Sequence, residues 1–171
     1  MEVSGIKHAS RITGDLNTAL VTSADKSFYE KGEYVDSTFL SIMDPEVLRG
    51  SPETALNDLY SLVITERMAL KFFGTADVLG KTVNIDKDKL FTITAVVQNP
   101  NTNSSFKGDW FARYDLLELK FPWLKRWDAN AALTLVEVYP DADVCWPLTT
   151  SSQKFTGIEM PALPILSSCS R

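Results

Sequence analysis

The residue best suited to acid–base chemistry is His8, the one histidine among 171 residues. A Ser-His-Asp or Cys-His site would have to be built around it, and no GxSxG elbow accompanies any serine. Its neighbours Lys7 and Ala9 suggest no particular role, so His8 reads as an ordinary surface or strand residue. Cys145 and Cys169 stand in neither a CxxC nor another metal spacing. They could pair in an oxidising compartment or remain two thiols. Asp86-Lys87-Asp88 opens like a calcium loop, but the invariant glycine position holds Phe91 and the closing glutamate position holds Val97. A solvated hairpin turn is the expected reading. Gly80-Lys81-Thr82 ends like a phosphate loop. The first glycine of that motif falls on Thr75, and the segment leads into a strand rather than a helix N-terminus.

Aromatic residues are distributed less evenly. Phe106, Trp110, Phe111, Tyr114, Phe121, Trp123 and Trp127 fall within one stretch. Exposed, they would mark a partner or ligand surface; buried, they are core. Trp110, Trp123 and Trp127 are the candidate partner-surface residues. No residue is assigned to catalysis, to a cofactor or to a metal.

The elements that would position these residues are short. Ile6 to Thr13 and Ala19 to Ser23 read as strands. Asp36 reads as the N-cap of a short helix carrying Phe39, Leu40 and Met43 on one face, closed off by Pro45. Ser51-Pro52-Glu53 is a helix-start signature with room for one turn before Asn57-Asp58. Leu62-Val63-Ile64 is a strand. Thr65 then caps a helix with Met68, Ala69, Phe72 and Phe73 on its apolar stripe and Gly74 closing it. Lys81 to Asp86 alternates, with Val83 and Ile85 on one side. Leu90 to Gln98 follows with Phe91, Ile93, Ala95 and Val97 on one side. Asp109 to Tyr114 and Ala132 to Tyr139 complete the strands. Scattered strands and short helices make an α+β pattern. After Asp143, three prolines and many hydroxyl residues leave no clear period.

Composition narrows the function classes. Hydrophobic residues at 44% and charged residues at 23% are ordinary globular usage and supply a core. The net charge of −5 disfavours nucleic acid and, for the same reason, anionic membrane surfaces. The longest charge-free run, Leu90 to Phe106, ends in Gln, Asn, Pro and Ser residues and cannot cross a bilayer. Met1 is followed by Glu2 with no apolar h-region, so the chain reads as lacking a signal peptide.

Between Phe39 and Thr82 the residues become specific. Phe39-Leu40-Ser41-Ile42-Met43, Val47-Leu48-Arg49-Gly50 and Thr54-Ala55-Leu56-Asn57-Asp58 form an ordered series. Ser61-Leu62-Val63-Ile64-Thr65-Glu66, Ala69-Leu70-Lys71-Phe72-Phe73-Gly74 and Leu79-Gly80-Lys81-Thr82 continue it. Phe91 to Val97 and Asn103-Ser104-Ser105-Phe106 end it. In order and spacing this series resembles the MacB-like periplasmic core domain of ABC transporter permeases. A weaker likeness extends from Val3 to Val144, and Cys145-Trp146-Pro147 departs from the helix with which the family continues.

The resemblance implies a two-lobed extracytoplasmic domain, with βαβ units in one lobe and mainly strands in the other. Residues 1–143 would form the core domain and residues 144–171 a divergent or loosely structured tail. It also implies a membrane-tethered part of a transporter, on the periplasmic face, that is not an enzyme and holds no cofactor. The implied partners are a cytoplasmic ATP-binding subunit or domain, a second permease copy, and an extracytoplasmic adaptor or substrate protein; nucleic acid is not among them. Two other readings compete: a stand-alone ligand-binding or sensor module using the aromatic stretch 106–127, and a hydrolase using His8.

Overall fold

The computed structural model describes residues 5–14, 17–23, 26–87, 89–100, 107–126 and 132–140. Cys145, Cys169, Phe106, Trp127 and the tail therefore lie outside the described residues. Two compact units divide the chain: Lys7–Glu137, and Met1–Ile6 with Val138–Arg171. In the second unit the Tyr139 N–H donates to the Gly5 carbonyl at 2.9 Å.

The first unit is built on strands β1 (Ile6–Ile12), β2 (Asn17–Ser23), β3 (Lys26–Val35), β4 (Val47–Arg49), β5 (Ser61–Thr65), β6 (Thr82–Ile85), β7 (Lys89–Val97), β8 (Trp110–Arg113) and β9 (Leu133–Val138). Helices are short: α1 (Phe39–Met43), α2 (Glu66–Phe73), α3 (Asp115–Lys120), then a 3₁₀ turn at Pro122–Lys125. The expected mixed, strand-rich α+β character is what the chain adopts. No helix among the described residues is long and apolar enough to cross a membrane.

Strand pairing runs β2-β6-β7-β5-β8-β3, and β3 also pairs β2 over seven residues, Asn17↔Gly32 to Ser23↔Lys26. The six strands therefore close into a ring, which leaves none of them with an unpaired edge. β1 and β9 extend the sheet outward from β3, and β4 joins it on β7. Most neighbours are antiparallel. β5 and β7 are parallel, joined by a crossover that contains α2, so one βαβ unit is present. β3 and β8 are parallel as well.

Two apolar clusters follow from the alternation of side chains along these strands. One joins Val21, Leu62, Ile64, Val83, Ile93 and Trp110 with Met68, Ala69 and Phe72 of α2. The other packs Val35, Val63, Ala95 and Phe111 against Phe39 and Leu40 of α1 and Leu56. Strand β5 feeds both clusters and is buried at every residue.

Trp110 is fully buried, and its ring lies against Gly32 of the neighbouring strand. A Cβ at residue 32 would sit 2.0 Å from the indole, so glycine is the residue that lets this strand pass the ring. The indole N–H donates to the Glu30 carbonyl at 3.3 Å, which satisfies its polar atom inside the core.

Several local expectations need correction. Asp36 does not cap α1 with its side chain; its carboxylate turns to Arg11, and Thr38 occupies the N-cap position without a side-chain cap bond. Ser51 to Asn57 forms successive turns rather than a helix, with Thr54 N donating to Ser51 O and Asn57 N to Thr54 O. In β7 the register shifts at Leu62/Val63 of its partner. That bulge puts Phe91, Ile93 and Val96 in one cluster and Ala95 and Val97 in the other, so strict alternation fails.

Candidate functional site

Three charged clusters fix how the helices sit on the barrel. At the start of α2, the Thr65 side chain accepts from the Met68 N–H at 3.4 Å and its hydroxyl donates to Asp109 at 3.2 Å. Arg67 adds Nε to the same Asp109 oxygen at 3.0 Å and Nη2 at 2.5 Å. The end of α2 is closed by Gly74 in the left-handed region, φ 73°, where glycine carries no Cβ penalty. On its outer face Lys71 reaches buried Glu30 at 2.5 Å and lies over the Phe28 ring, which meets Phe72 edge-on at 5.3 Å.

The second cluster holds α3. Arg11 of β1 makes a two-pronged contact with Asp36, Nε at 3.0 Å and Nη2 at 2.9 Å, and reaches Glu118 of α3 at 2.5 Å. Its guanidinium lies 4.6 Å from the centre of the buried Tyr114 ring. The Asp36 hydrogen bonds hold Arg11 firmly in its charged form, above its already high ordinary pKa. Burial raises the Tyr114 phenol above its ordinary value, with Arg11 opposing that shift. The third cluster pins the strand before α3: Arg113 pairs with Asp115 and donates to the Leu56 carbonyl at 2.8 Å and the Asn57 carbonyl at 3.0 Å.

Between α3 and the β6–β7 hairpin lies an open cavity of about 280 Å³. Its lining combines Ile85, Phe91 and Leu116 with Asp86, Lys89 and Lys120. Lys89 Nζ donates to the Tyr60 hydroxyl at 3.0 Å.

The residues singled out for chemistry fall in separate places. His8 is half-buried on β1, remote in sequence from the groups of the cavity. Asp86 and Lys87 both occupy the left-handed region, φ 54° and 57°, as a tight hairpin requires. The Asp86 carboxylate accepts from the Leu20 N–H at 2.9 Å, so it braces β2. Gly80 N donates to the Ile93 carbonyl at 2.8 Å, and Lys81 lies over the Phe73 ring at 4.7 Å. Among the described residues, no three His, Cys, Asp or Glu side chains are grouped as metal ligands.

The aromatic stretch divides. Trp110, Phe111 and Tyr114 belong to the interior, which removes Trp110 from any partner surface. Trp123 is 54% exposed and Phe121 is exposed beside it. Strand β3 and helix α3, which carry Gly32, Glu30 and Glu118, are elements that reading along the chain missed. Alternation in β3 is masked because charged residues fall on both of its faces, and α3 has a single fully buried side chain, Leu116.

The model of the MacB-like periplasmic core domain matches residues 1–144. The chain belongs to this family. Its solved relatives agree in architecture. A domain of a protein described as a permease, from Porphyromonas gingivalis, matches with a TM-score of 0.71 at 27% identity, covering 82% of this chain and 65% of that one. The periplasmic region of MacB from Actinobacillus actinomycetemcomitans gives 0.62 at 16% identity, covering 87% and 64%. The extracellular domain of the noncanonic ABC-type transporter YknZ from Gram-positive bacteria gives 0.58 at 15%, covering 81% and 68%. The last two likenesses establish the fold. This chain thus spans about two thirds of the length of each solved relative. Comparison with curated protein sequences gives no match. The MacB-like domain is the periplasmic part of an ABC transporter permease, which agrees with the resemblance carried by Phe39 to Phe106.

Proposed function

We propose that this MacB-like domain couples ATP-driven movement of a permease's transmembrane helices to the handling of substrate or partner proteins outside the membrane. It carries out no catalysis of its own in this reading. The family match across residues 1–144 supports it above all else. The fold suits such a role, because a closed ring of six strands with a filled interior moves as a rigid body, so displacement at one end reaches the other. ATP hydrolysis belongs to a cytoplasmic ATP-binding subunit or domain reached through the intact permease. A second permease copy and an extracytoplasmic adaptor or substrate protein are the remaining partners.

The two-lobed organisation belongs to the same proposal. Both lobes would lie within residues 1–143, with the βαβ crossover of β5, α2 and β7 in one of them. Deleting the domain from the full-length permease should abolish transport while basal ATP hydrolysis survives. Normal transport by the deletion variant would refute the coupling role.

A further inference from the structure

The cavity between α3 and the β6–β7 hairpin opens onto the interior of the strand ring. Tyr34, Ile85 and Phe91 reach it from β3, β6 and β7, and Leu116, Leu117 and Leu119 of α3 line its other side. Ile85, Phe91 and Leu116 belong to the apolar cluster inside the ring, so the floor of the cavity is core surface. The Tyr34 ring is held there by Trp110, which it meets edge-on at 5.3 Å. The mouth of a strand ring is a common place for a small ligand, because inward-facing side chains converge on it without closing it.

Size narrows what could enter. A cavity of about 150 Å³ lined by Leu, Ile and Phe stays dry and takes one benzene ring. At about 280 Å³, this one has room for roughly two.

Charge narrows it further. The charged side chains of the lining, among the described residues, are Asp86, Lys89 and Lys120, and each has a partner within the chain. Asp86 accepts from the Leu20 N–H at 2.9 Å. Lys89 donates to the Tyr60 hydroxyl at 3.0 Å with its ammonium over the Tyr60 ring. Lys120 lies over the Phe121 ring, 5.9 Å from its centre. An ionic ligand would have to give up its hydration and also disturb one of these contacts, a double cost that an uncharged ligand does not meet. An uncharged apolar molecule gains in proportion to the area it removes from water against the six apolar and aromatic side chains.

We propose that this cavity binds a compact, uncharged apolar molecule of one or two rings, seated on Ile85, Phe91 and Leu116 with Leu117 and Leu119 as its outer wall. The site is independent of the coupling role, and its failure would leave that role intact.

The test is equilibrium dialysis of the 171-residue chain against 1-naphthol, uncharged at pH 7, and against 1-naphthalenesulfonate, the same ring system with a charge. One molecule of 1-naphthol is expected to bind per chain, with half-saturation below about 1 mM. The sulfonate should bind at least tenfold more weakly, and 1-naphthol binding should not weaken between 0.05 and 0.5 M NaCl. Leu117→Trp should fill the cavity and weaken 1-naphthol binding at least tenfold with an unchanged circular dichroism spectrum. Leu119→Trp, at an exposed wall position that tolerates a larger side chain, should do the same should Leu117→Trp fail to fold. Leu70→Asn, on the outer face of α2, should leave binding intact. Absence of saturable 1-naphthol binding would overturn the proposal, as would equal binding of the sulfonate. Undiminished binding to a folded Trp variant, or loss with Leu70→Asn, would overturn it by placing the site elsewhere.

Discussion

The barrel and the α3 arm both present aromatic residues from one stretch of chain, and they use them in opposite ways. In the barrel, Trp110 is fully enclosed and rests against Gly32, with its one polar atom bonded to a backbone carbonyl. Thirteen residues later Trp123 stands about half in solvent on a 3₁₀ turn. The barrel is held by packing and by a ring of strand pairs. The arm is held by polar tethers, chiefly Arg11 bridging Asp36 and Glu118. Rigidity thus concentrates in the closed ring of strands, and exposed apolar surface on the short arm that follows it.

This contrast predicts a steep gradient of mutational cost. Trp110→Ala removes the largest fully buried side chain and should cost about 3–5 kcal/mol, measured by urea unfolding. Gly32→Ala forces a methyl group into the same ring and should cost about 2–3 kcal/mol. If the two residues share one packing constraint, Trp110→Phe should recover part of the Gly32→Ala loss in a double-mutant cycle. Additive losses would mean that the ring and the glycine are not coupled, and the barrel would lose its claim to a tightly specified core.

How much of this was legible in the residues divides along the same line. Helix α2 was plain because every local signal agrees: Thr65 caps it, Glu66 suits its dipole, Met68, Ala69 and Phe72 face inward, and Gly74 ends it. The strand alternation of Val83 and Ile85 was equally plain. Closure of the ring was not, because β3 hides its inward face behind Glu30 and Gly32 and depends on partners far along the chain, β2 and β8. The bulge in β7 was invisible for a related reason: nothing in Phe91 to Val97 marks where the partner strand shifts register. The aromatic stretch could be seen to matter, but whether each ring pointed in or out depended on tertiary packing that spacing does not encode. Asp36 shows the limit most simply, since a residue suited to capping was recruited by an arginine from a distant strand.

Arg11→Ala tests the tethered side of the comparison. The bond network loses its two-pronged contact with Asp36 and its link to Glu118, but the Arg11 side chain is 38% exposed and solvent screens part of the gain. The expected loss is about 1–2 kcal/mol. Its local signature should be larger than its global one: trypsin should cut faster after Lys120 and Lys125 in the variant, with no change at Lys81. Uniform acceleration at all sites would indicate that Arg11 supports the whole unit rather than the arm.

A pH titration sharpens the same point with a smaller effect. Burial raises the Tyr114 phenol above the ordinary value of about 10, so its neutral form is favoured in the folded chain. That contribution is fully present below pH 10 and is lost as pH rises through the folded-state value. Stability should therefore fall at alkaline pH, and Tyr114→Phe should fall less. A parallel decline in both proteins would locate the alkaline loss elsewhere.

The smallest effect should come from Trp123→Ala. The indole is 54% exposed, closes no strand pair and belongs to neither apolar cluster, so its removal should change unfolding free energy by no more than about 0.5 kcal/mol. Set against the Trp110→Ala loss, that is roughly a tenfold difference between two tryptophans from one stretch of chain. A cost above about 1.5 kcal/mol would mean that Trp123 packs against the body, and the arm would then be an extension of the core. A neutral variant would leave the indole available for contacts outside the folded chain, because a large aromatic ring that contributes nothing to the fold still carries its full apolar surface to any interface that excludes water.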